Sequence, residues 1–207
     1  IARLPERISD ERARRAWMVQ HLLQPGTPVL YYGDELDLED ATTTGQDLAQ
    51  RAPMPWSADE HAGFTTGTPW FSPADSYMDG RNVEDQDEDP QSMLNLTRQL
   101  VALRQQSDAL QVHSMEFLPT RNAAILAFRR TSDLDSVTVV QNFSGWDQTG
   151  VTVQGLDGLV ELTDQGQAWP GGHGSELDLS PYAYRIFASP SLADHLVMEQ
   201  IPDPTGR

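Results

Sequence analysis

Residues 26–35 read Gly26-Thr27-Pro28-Val29-Leu30-Tyr31-Tyr32-Gly33-Asp34-Glu35, and residues 51–56 read Arg51-Ala52-Pro53-Met54-Pro55-Trp56. The first stretch is a turn, a short apolar run and a glycine break that opens into two acids. That pattern predicts a buried strand over 28–32 that delivers polar groups at its C-terminal end. Upstream, Ser9 or Asp10 can cap a helix running to about Gln24. Ala13, Trp17, Val19, Leu22 and Leu23 give it an apolar face, and Pro25-Gly26 stops it. Downstream, residues 33–88 show little periodicity and much Gly, Pro, Asp and Thr. A structureless loop of that length is unusual in a compact domain, and such loops are usually functional.

The next helix is clear in the sequence. Asp89 is placed to cap it, with Pro90 at its first position. Met93, Leu96, Leu100 and either Leu103 or Val101 form its stripe, and it runs to about Ser107. A strand, a loop and a helix, preceded by another helix, fit the closing βα unit of a barrel. From about Ser114 the pattern changes to alternation. Candidate strands are 115–118, 124–130, 136–142, 150–153, 158–164 and 182–188. Turn residues at Asp133, Ser144-Gly145, Gly155 and Pro170-Gly171-Gly172 separate them. Short strands at that spacing read as a small antiparallel β-domain. Residues 192–199 are expected to form one or two helical turns in a loosely anchored tail. The organisation expected is therefore 1–113 as barrel elements, 114–189 as the β-domain and 190–207 as the tail.

Composition bounds this reading. The chain has 207 residues, whereas a complete (β/α)8 barrel takes about 250. It cannot hold a whole barrel and a second domain. Its first segment, from Ile1, reads as mid-domain sequence, so the expectation is a C-terminal portion of a longer protein. A net charge of −17 argues against nucleic acid, whose binding needs a basic footprint, and disfavours anionic membrane surfaces. All 14 basic residues are Arg, a bias that a GC-rich genome or a salt-adapted host would each produce. There is no Cys, hence no disulfide framework and no thiol chemistry. No apolar run approaches the roughly 18 residues of a membrane span.

The quoted stretches resemble the α-amylase superfamily, glycoside hydrolase family thirteen. Residues 26–35 look like its last barrel strand. Arg51-Ala52-Pro53-Met54-Pro55-Trp56 resembles the Arg-x-Pro-Met-x-Trp block of its α-glucosidase and trehalose-synthase branches. Other blocks follow in family order. Ala62-Gly63-Phe64-Thr65-Thr66-Gly67-Thr68-Pro69-Trp70 resembles a segment of oligo-1,6-glucosidases and α-glucosidases. Asn82-Val83-Glu84-Asp85-Gln86 resembles their Asn-Val-Glu-x-Gln. Asp89 to Asn95 and Leu103-Arg104 look like the ends of their last barrel helix, and Leu179-Ser180-Pro181-Tyr182 resembles the approach to their final strand. Departures are His61 for the usual Asn, Ala52 and Pro55 around Met54, and Asp37 where Gly is common. Each either retunes the pocket or reflects drift. The implied fold is α/β plus all-β: the last βα elements of a (β/α)8 TIM barrel, then a small antiparallel β-sandwich.

The resemblance also implies a chemistry. Retaining glycosidases need two carboxyl groups about 5–5.5 Å apart, one to attack the anomeric carbon and one to protonate the leaving oxygen. In this family a third carboxylate stabilises the substrate. All three lie on earlier barrel strands, and the Asn-His-Asp motif that carries the third is absent here. The catalytic set from this chain is therefore expected to be none, and its contribution to be substrate binding from βα loops. Arg51 is the first candidate: the matching family Arg pairs with an Asp on an early loop, and both grip the terminal glucose. A guanidinium fork suits sugar hydroxyls and a carboxylate alike; the alternative is an Arg that ties the loop through backbone carbonyls. Asp34 and Glu35 follow the strand and either hold the loop or touch sugar. Trp56, Phe64 and Trp70 can stack on sugar rings or plug the core. The acid run 84–89 lacks the ligand spacing of an EF-hand and suits a helix N-terminus. The five histidines show no pair at ligand spacing, so no metal and no cofactor is expected. The expected partner is an oligosaccharide, bound together with the N-terminal part of the barrel.

Three activities remain open. The first is an α-glucosidase acting on maltose- or isomaltose-type glucosides, favoured by residues 65–70. The second is a trehalose synthase, favoured by the short interval between Gly33 and Arg51. The third is a non-catalytic amylase-like protein, against which Arg51 and the intact Ala62-Gly63-Phe64 argue. A binding role for the β-domain alone ranks below these, because its strands show no exposed aromatic row.

Overall fold

A computed structural model describes residues 2–42, 46–163, 176–197 and 201–202. Its helices are α1 (Leu4–Arg7), α2 (Glu11–Leu23), α3 (Gln46–Ala49), α4 (Val83–Glu88), α5 (Met93–Gln106) and α6 (Pro190–Ala193). Its strands are β1 (Glu116–Phe117), β2 (Ile125–Thr131), β3 (Ser136–Asn142), β4 (Gln148–Thr152), β5 (Val160–Glu161), β6 (Glu176–Leu179) and β7 (Tyr184–Ala188). Contacts divide the chain into two compact units, residues 1–14 with 29–97 and residues 15–28 with 98–207.

In the first unit, the Asp10 carboxylate accepts the Arg12 backbone N–H at 2.9 Å and caps α2. The guanidinium of Arg12 also bonds Asp10 and holds its carboxyl below the ordinary value. The strand expected over 28–32 does not form. The segment makes no ladder with any described residue, and Val29 is 76 % exposed. An apolar run becomes a strand only when a neighbour takes its backbone hydrogen bonds, and the run itself cannot specify that neighbour. Residues 33–88, expected to be structureless, hold α3, α4 and three short 3-10 turns at Asp34–Leu36, Glu60–Gly63 and Asp75–Asp79. Elements of three to six residues are too short to print a helical period. The acid run lies mostly inside α4. Asn82 caps that helix through the Asp85 N–H, and the carbonyls of Pro55 and Trp56 take the next free donors, from Val83 and Glu84. Those bonds satisfy the orphan N–H groups of a helix start.

The start of α5 also differs from expectation. Its cap is Ser92, whose hydroxyl accepts from the Asn95 N–H at 3.1 Å, while Asp89 folds a turn by accepting from the Gln91 N–H. Buried Gln86 joins the two helices: its amide donates to the Leu36 carbonyl and accepts from the Leu94 N–H. The stripe Met93, Leu96, Leu100 and Leu103 is buried as expected, and Leu103 rather than Val101 completes it. On α2, the buried residues are Ala16, Met18, Val19, Leu22 and Leu23 together with Arg14 and Arg15. Ala13 and Trp17 are only half-buried; Trp17 stacks instead on the ring of His21, with centroids 4.7 Å apart.

The second unit is built on an antiparallel sheet of order β1-β2-β3-β7-β5, with β4 and β6 paired in a separate ribbon. β2 and β3 run in unbroken register from Ile125↔Asn142 to Thr131↔Ser136. Ile125, Ala127, Val140 and Phe187 from the sheet share one core with Val151, Leu177 and Leu179 from the ribbon, so two antiparallel layers enclose it. On the opposite face, Gln141 donates to the Ala16 carbonyl of α2. Arg130, fully buried, points to the same face. Its Nε donates to the Ser114 carbonyl at 2.7 Å and its Nη1 to the Leu23 carbonyl at 2.8 Å; its Nη2 reaches Val112 and Leu110. Arg104 binds the carbonyls of Leu22, Gln24 and Gly26. Two cations therefore close the negative end of the α2 dipole. Burial, and then the nearby Arg104, lowers the Arg130 pKa.

Five of the expected strands recur with shifted ends, and 136–142 recurs as β3. The expected 158–164 shortens to β5, with residue 164 outside the described residues. β6 was not anticipated, although Glu176-Leu177-Asp178-Leu179 alternates exposed and buried as a strand should. The helical turn expected over 192–199 begins earlier, at Pro190, and residues 198–199 lie outside the described residues.

Candidate functional site

All five candidate residues lie in the first unit. Gly33 starts the site with a left-handed φ of 86°. A Cβ there would stand 2.8 Å from the Leu38 side chain and 3.1 Å from Arg3 Nη1, so glycine is needed for space as well as for φ. The two acids after it fold back on the backbone. The Asp34 carboxylate accepts the Tyr31 N–H at 3.0 Å, and Glu35 accepts the Gly33 N–H at 2.9 Å. Both carboxylates thus fasten the turn that carries them.

Arg51 is exposed and ends a turn in which its N–H donates to the Leu48 carbonyl at 2.9 Å. The carbonyl before it, on Gln50, accepts from Arg3 Nη2 at 2.8 Å. The carbonyl after it, on Ala52, accepts from the Tyr32 hydroxyl at 2.9 Å. Arg3 Nη1 donates to the Tyr32 carbonyl at 2.9 Å and lies 3.8 Å from the Asp34 carboxylate. The segment that bears Asp34 and Glu35 is in this way tied to the segment that bears Arg51. Burial, and then the neighbouring Tyr31, raises the Tyr32 pKa.

Trp56 and Phe64 form a second group. Each is 51 % exposed. Between them His61, Ala62 and Gly63 take φ of 59°, 57° and 62° in succession, a conformation uncommon for His and Ala. The Ala62 carbonyl accepts the Trp56 and Ser57 N–H groups, and Phe64 donates to His61. Strained backbone that closes a loop under two exposed aromatics is the kind of feature found at binding sites. Trp70, 88 % exposed, lies against Phe71 with ring centroids 5.6 Å apart.

Sequence reasoning did not single out Arg3 or Tyr32. It noted Asp37 only as a replacement for Gly. Asp37 does adopt the left-handed φ of 57° that Gly would favour. Its carboxylate receives Arg14 Nε at 2.7 and 2.9 Å and Arg14 Nη2 at 2.6 Å, and Arg81 donates to its carbonyl at 3.0 Å. Burial disfavours the Arg14 charge, but Asp37 outweighs that and raises the Arg14 pKa. Among the described residues, no three His, Cys, Asp or Glu side chains are grouped to hold a metal. No described helix is long and apolar enough to cross a membrane.

The alpha amylase catalytic domain family matches residues 2–113. A trehalose synthase/amylase of Mycobacterium tuberculosis is 35 % identical over 161 residues, covering 69 % of this chain and 27 % of that protein. A trehalose synthase of Thermus thermophilus is 33 % identical over 198 residues, covering 90 % of this chain and 20 % of the relative. An oligo-1,6-glucosidase of Bacillus cereus is 25 % identical over 168 residues. Among solved structures, the trehalulose synthase MutB of Pseudomonas mesoacidophila superposes with a TM-score of 0.73 at 23 % identity, over 90 % of this chain and 41 % of that one. This last likeness bears on fold alone. The chain spans between a fifth and about a third of the length of these curated relatives.

Proposed function

The chain belongs to the α-amylase catalytic-domain family, and from that premise we propose that it forms the C-terminal part of an enzyme acting on short α-glucosides. In this reading residues 28–32 complete a barrel with strands supplied by the N-terminal part of the protein, which also supplies the nucleophile, the general acid and the third carboxylate. This chain contributes the loops that hold the sugar. The observation that carries the reading is Arg51: an exposed guanidinium whose flanking carbonyls are both fixed, beside a turn whose two acids are used to shape backbone. A guanidinium fork carried on such a backbone suits vicinal sugar hydroxyls and a partner carboxylate. Trp56 and Phe64 offer apolar faces to a sugar ring.

The test is Arg51→Ala in the full-length enzyme. A charged hydrogen bond to the sugar or to its carboxylate partner is worth about 1.5–3 kcal/mol, so kcat/KM falls by roughly one to two decades. The melting temperature stays close to wild type, because the side chain is exposed. Arg51→Lys recovers only part of the loss, since an ammonium cannot reproduce the fork. A clearly lower melting temperature with near-normal kcat/KM in the folded enzyme would make Arg51 structural and sink the reading. A companion expectation concerns the 207-residue chain: assayed alone on maltose and an aryl α-glucoside, it turns over neither above the buffer rate. Turnover that survives repurification would mean that the catalytic carboxylates lie within this sequence.

The outcome of the reaction divides the two enzymatic readings. Both begin with a covalent glucosyl-enzyme. If water then attacks, maltose yields glucose; if the released glucose stays bound and attacks through its anomeric hydroxyl, maltose yields trehalose. The identities of 33–35 % to trehalose synthases, against 25 % to an oligo-1,6-glucosidase, favour the second outcome. Chromatography of the products from maltose decides it.

A further inference from the structure

We propose that Arg3 and Tyr32 are positioning residues that clamp Arg51 from both sides and so set its aim at the sugar. The proposal rests on the reading of Arg51 as a glucose-binding residue. A side chain leaves its Cα in a direction fixed by the two peptide planes that meet there. At Arg51 the preceding plane, Gln50–Arg51, is held by a distant residue, and so is the Ala52–Pro53 plane one residue further on, so the plane between them has both its neighbours fixed. Arg3 Nη2 takes the Gln50 carbonyl at 2.8 Å, and the Tyr32 hydroxyl takes the Ala52 carbonyl at 2.9 Å. The separations in sequence, 47 and 20 residues, show that neither bond follows from local turn geometry.

The two clamp residues also immobilise each other. The Arg3 guanidinium lies 5.1 Å from the Tyr32 ring centroid and 5.2 Å from that of Tyr31, and Nη1 donates to the Tyr32 carbonyl. The Arg3 backbone N–H is anchored on the Asp40 carboxylate at 3.2 Å. Its side chain is 2 % exposed, so it cannot meet a substrate itself. Gly33 gives the space that this approach requires. Arg3 contributes five rigid donors. Two of them go to backbone carbonyls, of Tyr32 and Gln50, at the two ends of the substrate-loop segment, where an aliphatic residue would pack but hold nothing in register. Positioning of this kind matters because a displacement of about 1 Å can cost a hundredfold in rate.

Tyr32→Phe removes one hydrogen bond and keeps the ring under Arg3. In the full-length enzyme, with maltose and an aryl α-glucoside as probes, kcat/KM falls about 3–10-fold, mostly through KM. In the Arg51→Ala background the same change costs less than about twofold, because there is no guanidinium left to aim. Arg3→Lys follows the same pattern; if that variant does not fold, Tyr32→Phe carries the test. A Tyr32→Phe penalty that persists in full in the Arg51→Ala background, or no penalty in the wild type, overturns the clamp. Amide exchange over residues 48–56 separates the two possible failures. Faster exchange in Tyr32→Phe, with Arg51→Ala at wild-type kcat/KM, sinks the glucose-binding reading and the aiming role with it. Unchanged exchange in Tyr32→Phe overturns the clamp whatever Arg51 does.

Discussion

Replacing Arg130 by Ala lowers the stability of this chain by about 3–5 kcal/mol, the scale seen when a buried charged hydrogen-bond hub is removed. Arg130 is fully buried and donates to the carbonyls of Leu23, Leu110, Val112 and Ser114. Without it those acceptors lose their donor inside the protein, and the end of α2 loses one of its two cations. For a chain of this size the loss corresponds to a fall of roughly 6–20 °C in melting temperature. Arg130→Lys keeps a charge but has only three donors on one atom, and recovers a minor part. Urea unfolding followed by far-ultraviolet circular dichroism measures both. A midpoint for Arg130→Ala within 0.3 M of wild type would show that water satisfies those carbonyls in its place.

Asp37→Ala is the second large loss, again about 3–5 kcal/mol, because it leaves the Arg14 guanidinium buried without its carboxylate. Arg14 is 3 % exposed and makes three contacts of 2.6–2.9 Å with Asp37. Asp37→Gly restores the backbone freedom wanted at φ 57° but not the charge, so it remains close to Asp37→Ala. The double change Arg14→Met with Asp37→Gly recovers most of the loss, since it removes both buried charges. Thermal unfolding of the single and double variants gives the coupling. Additive losses in the cycle would mean that the pair does not act as one unit.

What was legible in the sequence follows from what a sequence can encode locally. The stripe of α5, from Met93 to Leu103, is periodic and the run Val137-Thr138-Val139-Val140 of β3 is β-branched throughout, so both were readable. The run at 28–32 was readable as apolar but not as lying outside a ladder, because strand pairing is a property of a neighbour. The 3-10 turns and α4 were hidden by their length. Ser92 lost to Asp89 as the expected cap because Asp89-Pro90 is the stronger local signal; only Gln86, reaching from α4, shows why the helix begins later. β6 was legible in Glu176-Leu177-Asp178-Leu179 and was missed. At the candidate site, Arg51, Trp56 and Phe64 announce themselves by motif, whereas Arg3 and Tyr32 act through backbone carbonyls 47 and 20 residues away, which no local pattern records.

The arginine cap of α2 has a consequence for synthesis. Leu23 is translated 107 residues before Arg130, the residue that takes its carbonyl. At about 5–20 residues per second, roughly 5–20 s pass between the two. A 13-residue helix is marginal in water on its own, so until Arg130 emerges α2 has at most one of its two capping cations, Arg104, and lacks the sheet face that covers it. The β-domain is thus the last step in securing an early helix, and a ribosome stalled before β2 would present that apolar face to chaperones.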